Sequence, residues 1–308
     1  MPHDEYTWIE RSEVLSFEEI ERLAQISISL GVEKIRLTGG EPLVRRGLEQ
    51  LVYRLSRLEG LRDLTLTTNG ALLAGQAPAL ASAGLRRINV SLDTLKPDRF
   101  REITKRGELA EVLAGIEAAR RAGLGPIKVN AVVIRGFNDD ELIDMARFGR
   151  ENAAEMRFIE YMDVGNANAW KLEKTVTKQE ILRRIHEVFP LREVGRSLGS
   201  APAVDYAYED GLGEIGIIGS VTEPFCSSCV RARLTADGRF ITCLFAESGF
   251  DLKTLVRGGA SDAELTDAIV RVWTGRTDRY SDIRWQEIQA GTYKPELYRK
   301  IEMITLGG

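Results

Sequence analysis

Lys34-Ile35-Arg36-Leu37-Thr38-Gly39-Gly40-Glu41-Pro42-Leu43 alternates basic and apolar residues, then breaks into two glycines, a carboxylate and a proline. The alternation suits a short strand, and the Gly-Gly-Glu-Pro after it suits either a tight turn or a backbone that approaches a ligand closely. Its glycine spacing is that of neither a Walker loop nor a dinucleotide fingerprint. Outward from this stretch the same unit recurs. An amphipathic helix closed by Gly31, Gly60, Gly84 or Gly123 runs at once into a β-branched strand, glycine being suited to the left-handed turn that ends a helix. Ser16-Phe17-Glu18-Glu19 offers the first helix a capping box, with Phe17, Ile20, Leu23 and Ala24 on one face. Strands are expected near Lys34 to Leu37, Asp63 to Leu66, Arg87 to Leu92, Ile127 to Val133 and Met156 to Tyr161, which makes the class α/β with a parallel sheet.

Repeated strand-helix units close either as a doubly wound sheet or as a barrel. The polar residues decide between them. Gly39-Gly40-Glu41, Thr67-Thr68-Asn69-Gly70, Ser91 and Asp93, Asn130, and Glu160 to Met162 all fall at the C-terminal ends of successive strands, which share one mouth only in a barrel. The alternation fades after Asp163. Lys171 to Val188 still reads as helix, whereas Gly195 to Glu223 is rich in glycine, proline and short strand-like segments, so a boundary is expected near residue 165, dividing 1–165 from 166–308.

With 308 residues, 44% hydrophobic and 29% charged, the composition is that of an ordinary globular chain. A net charge of -4 argues against a broad nucleic-acid surface and leaves room for a local basic pocket. There is no apolar run of membrane-span length, and Met1 to Glu10 lacks the pattern of a signal peptide, so the simplest expectation is a cytoplasmic protein with no membrane partner. The 3 cysteines all lie between Cys226 and Cys243, in the pattern CxxC-x13-C, which points to a metal or cluster rather than a disulfide framework. Structural zinc would want a fourth ligand, and neither His3 nor His186 is spaced to provide it. Zinc, inert buried thiols, and an iron-sulfur cluster with one open iron remain the readings of this pattern. Arg231 and Arg233 follow the second cysteine and project to the same side if extended, where guanidinium forks would hold an anion; solvated arginines on an exposed strand are the plain alternative. Thr67 to Asn69 suit a ligand or merely a turn, Lys128 a phosphate or an exposed edge, and Met162 a ligand contact or the core.

Taken in order, these motifs resemble the GTP 3′,8-cyclase family of radical S-adenosylmethionine enzymes. The match runs from Lys34 to Leu43, through Thr67-Thr68-Asn69-Gly70 and Asn89-Val90-Ser91-Leu92-Asp93, to the cysteine-arginine block and a terminal Gly307-Gly308. The resemblance implies a partial (β/α)6 barrel, here without its first strand, covered by a C-terminal region that carries a second [4Fe-4S] cluster. It implies that Cys226, Cys229 and Cys243 hold that cluster, with an open iron toward guanine. Gly40, Ser91 and Met162 would contact S-adenosylmethionine, and Arg36, Thr67, Lys128, Arg231 and Arg233 would contact GTP. In the family a 5′-deoxyadenosyl radical takes a hydrogen from ribose C3′ of GTP and the C3′ radical attacks C8, the first step of molybdenum cofactor biosynthesis. The implied partner downstream is cyclic pyranopterin monophosphate synthase, and a homodimer is compatible with the resemblance. The first cluster of such enzymes is held by CxxxCxxC, a motif that does not occur in this sequence. The family continues from the third of those cysteines into Met-Pro, as Met1-Pro2 begins this chain, so an N-terminal truncation is expected, and with it a chain that does not itself generate the radical.

Overall fold

Ile35 and Leu37 turn one side of the first strand, β1 (Lys34–Leu37), toward apolar neighbours and leave Lys34 and Arg36 on the other. The same two-sidedness runs through β2 (Asp63–Thr68), β3 (Arg87–Ser91), β4 (Ile127–Val133) and β5 (Ala154–Glu160). In β4, for instance, Ile127, Val129, Ala131 and Val133 are buried, while Lys128 and Asn130 between them are only half-buried. The computed structural model describes residues 9–165, 170–197, 199–298 and 300–306, the side chains of Glu296 and Ile304 excepted; the Gly307-Gly308 tail and His3 lie outside the described residues.

Helices alternate with these strands: α1 (Phe17–Ser29), α2 (Leu48–Leu55), α3 (Leu73–Ser82), α4 (Pro97–Thr104), α5 (Leu109–Arg121), α6 (Leu142–Glu151) and α7 (Lys178–His186). Ser16 caps α1 with the expected box, its Oγ accepting from Glu19 N while the Glu19 carboxylate accepts from Ser16 N. Gly31, Gly60, Gly84 and Gly123 all take the left-handed φ expected of helix-closing glycines. The stretch expected to be helical from Lys171 to Val188 is shorter. A lone 3-10 turn at Leu172–Lys174 precedes α7, which starts only at Lys178 because Thr177 caps it, its Oγ1 accepting from Glu180 N at 3.2 Å.

Three further strands, β6 (Leu191–Gly195), β7 (Val204–Tyr208) and β8 (Glu214–Ile218), complete one 8-stranded sheet in the order β1-β2-β3-β4-β5-β8-β7-β6. β1 to β5 pair in parallel, and β8 adds a sixth parallel strand against β5; β7 and β6 then pair antiparallel. The sheet thus continues past residue 165. A separate 3-stranded antiparallel sheet holds β9 (Arg233–Leu234), β10 (Arg239–Ile241) and β11 (Phe250–Asp251), followed by α8 (Leu252–Arg257), α9 (Asp262–Thr274) and α10 (Tyr280–Gln289).

The large apolar core gathers the outward residues of the parallel strands with the inner faces of α2, α3, α5, α6 and α7. Helices on one face and polar side chains on the other are what a curled sheet requires. The Arg157 guanidinium on β5 adds repulsion to that of Arg36 on β1, which is consistent with a sheet that curls, since a flat one would hold strands four places apart at about 19 Å.

The turn after β2 depends on close packing. Gly70 sits there at φ 81, and a Cβ on Gly115 of α5 would stand 2.5 Å from the Gly70 carbonyl and 3.1 Å from Leu73 Cβ. Gly115→Ala should lower the unfolding free energy by roughly 1–3 kcal/mol, since a backbone clash outweighs the helix propensity that alanine adds. A denaturation midpoint equal to or above that of the wild type would contradict this packing.

Candidate functional site

Strand alternation sets Lys34 and Arg36 of β1, Asp63, Thr65 and Thr67 of β2, Arg87, Asn89 and Ser91 of β3, Lys128 and Asn130 of β4, and Glu155 and Arg157 of β5 on the concave face. Register then decides who meets whom. Lys128 lies beside Glu155, and Asn130 beside Arg157, with Gly216 and Asp205 next in the same row. Asp63 accepts from Arg87 and ion-pairs with Lys34 at 3.0 Å; Glu155 accepts from Lys128 and, at 2.9 Å, from Arg157 Nε.

Three guanidinium groups stand apart from these pairs. Arg36 is open to solvent yet crowded by protein on most sides, as befits a side chain rising in a concavity, and that crowding pushes it down to about 10, with Arg157, Arg87 and Arg231 adding repulsion. Arg233 is also pulled below its ordinary value, by burial first and then by Arg231. Arg231 itself lies over the Phe225 ring and donates from Nε to Cys229 Sγ at 3.4 Å. Among the described residues none of the three forms an ion pair with a carboxylate; Asp63 attracts Arg36 only from a distance.

The thiols share this region. Cys226 opens a 3-10 turn that Cys229 caps, and Cys243 follows β10 after the turn at Gly238, whose φ is 81. All three are free and half-buried. Burial would raise Cys229, but Arg231 and then Arg276 outweigh it and hold that thiol below the usual range; burial pushes Cys243 up. Cys226 acts on Cys243, and both Cys229 and Cys243 act on Arg233. Yet among the described residues no three histidine, cysteine or carboxylate side chains converge as one metal ion requires. A donor set of three soft thiols, with no histidine spaced to complete a tetrahedral zinc site, suits an iron-sulfur group that leaves one iron open. The sequence contains no second cysteine set, so none of its side chains would hold a first cluster.

At the mouth, carboxylates serve the backbone. Glu41 accepts from Leu43 N, Thr68 Oγ1 and Asn69 N at 3.0, 2.7 and 2.7 Å, which ties the Gly-Gly-Glu-Pro turn to the end of β2. Gly39 has φ 152, a conformation that side-chain-bearing residues rarely adopt. Glu160 is spent in the same way, on Lys178 N, Val221 N and Thr222 N. Gly40 and Ser91 are exposed and Met162 half-buried, at or just beyond the C-terminal ends of β1, β3 and β5.

The structure therefore gathers Arg36, Arg231 and Arg233 with the three cysteines. Thr67 remains within the sheet, its Oγ1 in a long 3.5 Å contact with Asn89 Nδ2. Lys128 is no edge residue: it is held on an inner strand by Glu155. Sequence reading missed Glu155 and Arg157. Their signal was the alternation Glu155-Met156-Arg157-Phe158, obscured by starting that strand at Met156.

Residues 3–149 match the profile of the radical SAM superfamily, and residues 154–282 that of Molybdenum Cofactor Synthesis C. The fold, the basic concavity and these two matches define an enzyme of the radical SAM superfamily joined to a molybdenum cofactor synthesis region, a class that implies S-adenosylmethionine and an iron-sulfur cluster. The chain is 50% identical over 322 residues to the GTP 3′,8-cyclase of Acidothermus cellulolyticus, covering 98% of this chain and 89% of that protein. It is 46% identical over 316 residues to GTP 3′,8-cyclase 3 of Mycobacterium bovis, covering 100% and 83%, and 45% identical over 295 residues to that of Xanthomonas axonopodis pv. citri, covering 96% and 86%. The chain belongs to the GTP 3′,8-cyclase family. Among the described residues no helix is long and apolar enough to cross a membrane.

Beside the mouth, burial pushes the Asp93 carboxyl up to about 6, against the pull of Val132 N–H at 2.8 Å. A carboxyl raised in the fold above its ordinary 3.8 holds its proton more tightly folded than unfolded, so it subtracts stability as pH rises from about 4 to about 6 and goes on subtracting the full amount above. Asp93→Asn keeps an acceptor for Val132 and should gain stability relative to wild type across that window. A stability difference that stays flat from pH 4 to 7 in denaturant titrations would show the carboxyl to be unshifted.

Proposed function

We propose that this chain binds GTP and S-adenosylmethionine for the formation of 3′,8-cyclo-7,8-dihydroguanosine triphosphate, the first step of molybdenum cofactor biosynthesis, a reaction that also needs CxxxCxxC ligands its own sequence does not contain. The observation that carries this reading is the gathering of Arg36, Arg231 and Arg233, without carboxylate partners among the described residues, beside three free thiols. A triphosphate supplies the negative charge such a group lacks, and guanidinium forks fit its oxygens. Thr67 and Lys128 line the same concave face and complete the GTP set; Gly40, Ser91 and Met162 are the S-adenosylmethionine set. Cys226, Cys229 and Cys243 would hold a [4Fe-4S] cluster, which when bound supplies an open iron for the purine. The chain's own residues bind the phosphates, keep the thiols beside them, and shape a concavity that limits water and stray hydrogen donors. No step is assigned to a first cluster, whose ligands are not among these residues.

This reading also takes 1–165 as the barrel unit and 166–308 as the cofactor-synthesis unit, a cytoplasmic site of action, and a downstream synthase of cyclic pyranopterin monophosphate that receives the product. Anaerobic reconstitution should give about four irons per chain and GTP binding. Cys243→Ser should lose that iron; full retention would contradict the assignment. Arg231→Ala and Arg233→Ala should each weaken GTP by roughly 1.5–3 kcal/mol, and unchanged calorimetric affinity would refute the role of the residue tested. On reduction with S-adenosylmethionine and GTP, 5′-deoxyadenosine is expected only where CxxxCxxC ligands are supplied as well. Its formation by residues 1–308 alone would overturn that part of the proposal.

A further inference from the structure

Glu155 occupies an unusual place for a carboxylate. It stands on the concave face, in a region whose other charges are mainly positive, and its side chain is only 14% exposed. One carboxylate serves two cations: Lys128 Nζ on the neighbouring strand donates to Oε2, and Arg157 Nε, two residues along the same strand, donates to Oε1 at 2.9 Å. Each oxygen therefore fixes one cation. Because Arg157 is held through Nε, its two terminal nitrogens, which have no hydrogen-bond partner among the described residues, can serve a ligand.

The neighbouring carboxylate does not duplicate this arrangement. Asp205 is 6% exposed and its Oδ1 has no hydrogen-bond partner. It lies over Gly216, where a Cβ would come within 3.0 Å of Asp205 Oδ1 and 3.3 Å of Arg157 Cγ. Asp205 thus flanks the stem of Arg157 and leaves the guanidinium to Glu155. Two long cationic side chains would otherwise repel each other and spread over many rotamers, at an entropic cost on binding.

We infer that Glu155 is a positioning residue: it holds Lys128 and Arg157 side by side as a preformed cradle for the nucleotide's phosphate chain. The inference rests on the GTP reading above and deepens it. A bystander carboxylate and a positioning carboxylate predict opposite signs. If Glu155 only adds negative charge near the phosphates, Glu155→Gln should tighten anion binding. If it holds the cradle, the same substitution weakens binding although the site becomes more positive.

The experiment is calorimetry on the anaerobically reconstituted full chain with GTP and with inorganic tripolyphosphate, for wild type, Glu155→Gln and Glu155→Asp, alongside thermal unfolding of each. The expected result is at least tenfold weaker binding of both anions by Glu155→Gln at an unfolding temperature within a few degrees of wild type, with substantial recovery in Glu155→Asp. Equal or tighter binding by Glu155→Gln overturns the inference. So does a loss that Glu155→Asp does not relieve, or one that tracks a collapse in unfolding temperature, since either marks a packing role. A wild type that holds tripolyphosphate as well as GTP would remove the guanine reading and leave the cradle standing. One that holds neither removes both.

Discussion

Like charges crowded into a concavity repel, and the arrangement of this molecule follows from making that tolerable. Arg231 repels both Arg36 and Arg233, and no carboxylate among the described residues pairs with any of the three. Arg36 remains charged at neutral pH, because a value pushed down to about 10 is still far above it. Such a group stores unfavourable energy that an anion releases on arrival. The apolar side of the same strands opposes the strain. Leu66, Ile88, Val90, Val129, Met156 and Phe158 are essentially inaccessible to solvent and anchor the backbone from which the cations rise.

The carboxylates are distributed so that they do not quench this charge. Glu41 and Glu160 are turned into backbone N–H groups at the ends of β1 and β5, and Glu141 accepts from Thr94 Oγ1 and Leu95 N. Each ties a loop at the mouth instead of pairing with an arginine of the site. The two carboxylates that do face the concavity from β2 and β5, Asp63 and Glu155, are each shared between two cations. Both sites therefore keep a net positive charge, and with Arg36, Arg231 and Arg233 a locally basic pocket arises in a chain whose net charge is -4.

Much of this was legible in the sequence, for identifiable reasons. The first five strands announced themselves because a helix-closing glycine precedes β1, β2, β3 and β4 and β-branched residues fill them, both local signals. The cysteine block was legible because ligand spacing is also local. The parallel placement of β8 was not, since nothing in Glu214–Ile218 says that it lies beside β5 rather than in a meander with its neighbours. That pairing joins residues nearly sixty apart. The partnership of Lys128 with Glu155 was hidden likewise: register, not spacing, brings them together, and a strand start placed two residues late set Glu155 outside the strand. Asp93 and Thr67 were visible as polar residues at strand ends, while their environment was not.

The C-terminal region must stay registered with the mouth if thiols and arginines from residues 226–243 are to work beside residues of β1 and β5. One buried knot explains how it does. Asp163, just beyond β5, accepts from Arg284 of α10, from Tyr280 at 2.6 Å, from Tyr293 and from Lys300 at 2.6 Å. Phe245, two residues after Cys243, stacks on Tyr280 at 4.3 Å, and Ala246 O accepts from Ile301 N at 3.1 Å. The loop that carries Cys243, through Phe245 and Tyr280, α10 and the segment around Lys300 therefore meet at one carboxylate. Removing a partner from a buried charge cluster of this kind leaves an uncompensated charge, worth roughly 3–5 kcal/mol. The pieces are thus held as one unit rather than docked loosely. A weaker joint would let the two cationic groups, one on the barrel strands and one on the cysteine loop, relax apart under their own repulsion. It is the knot at Asp163 that keeps both facing the same space before any anion arrives.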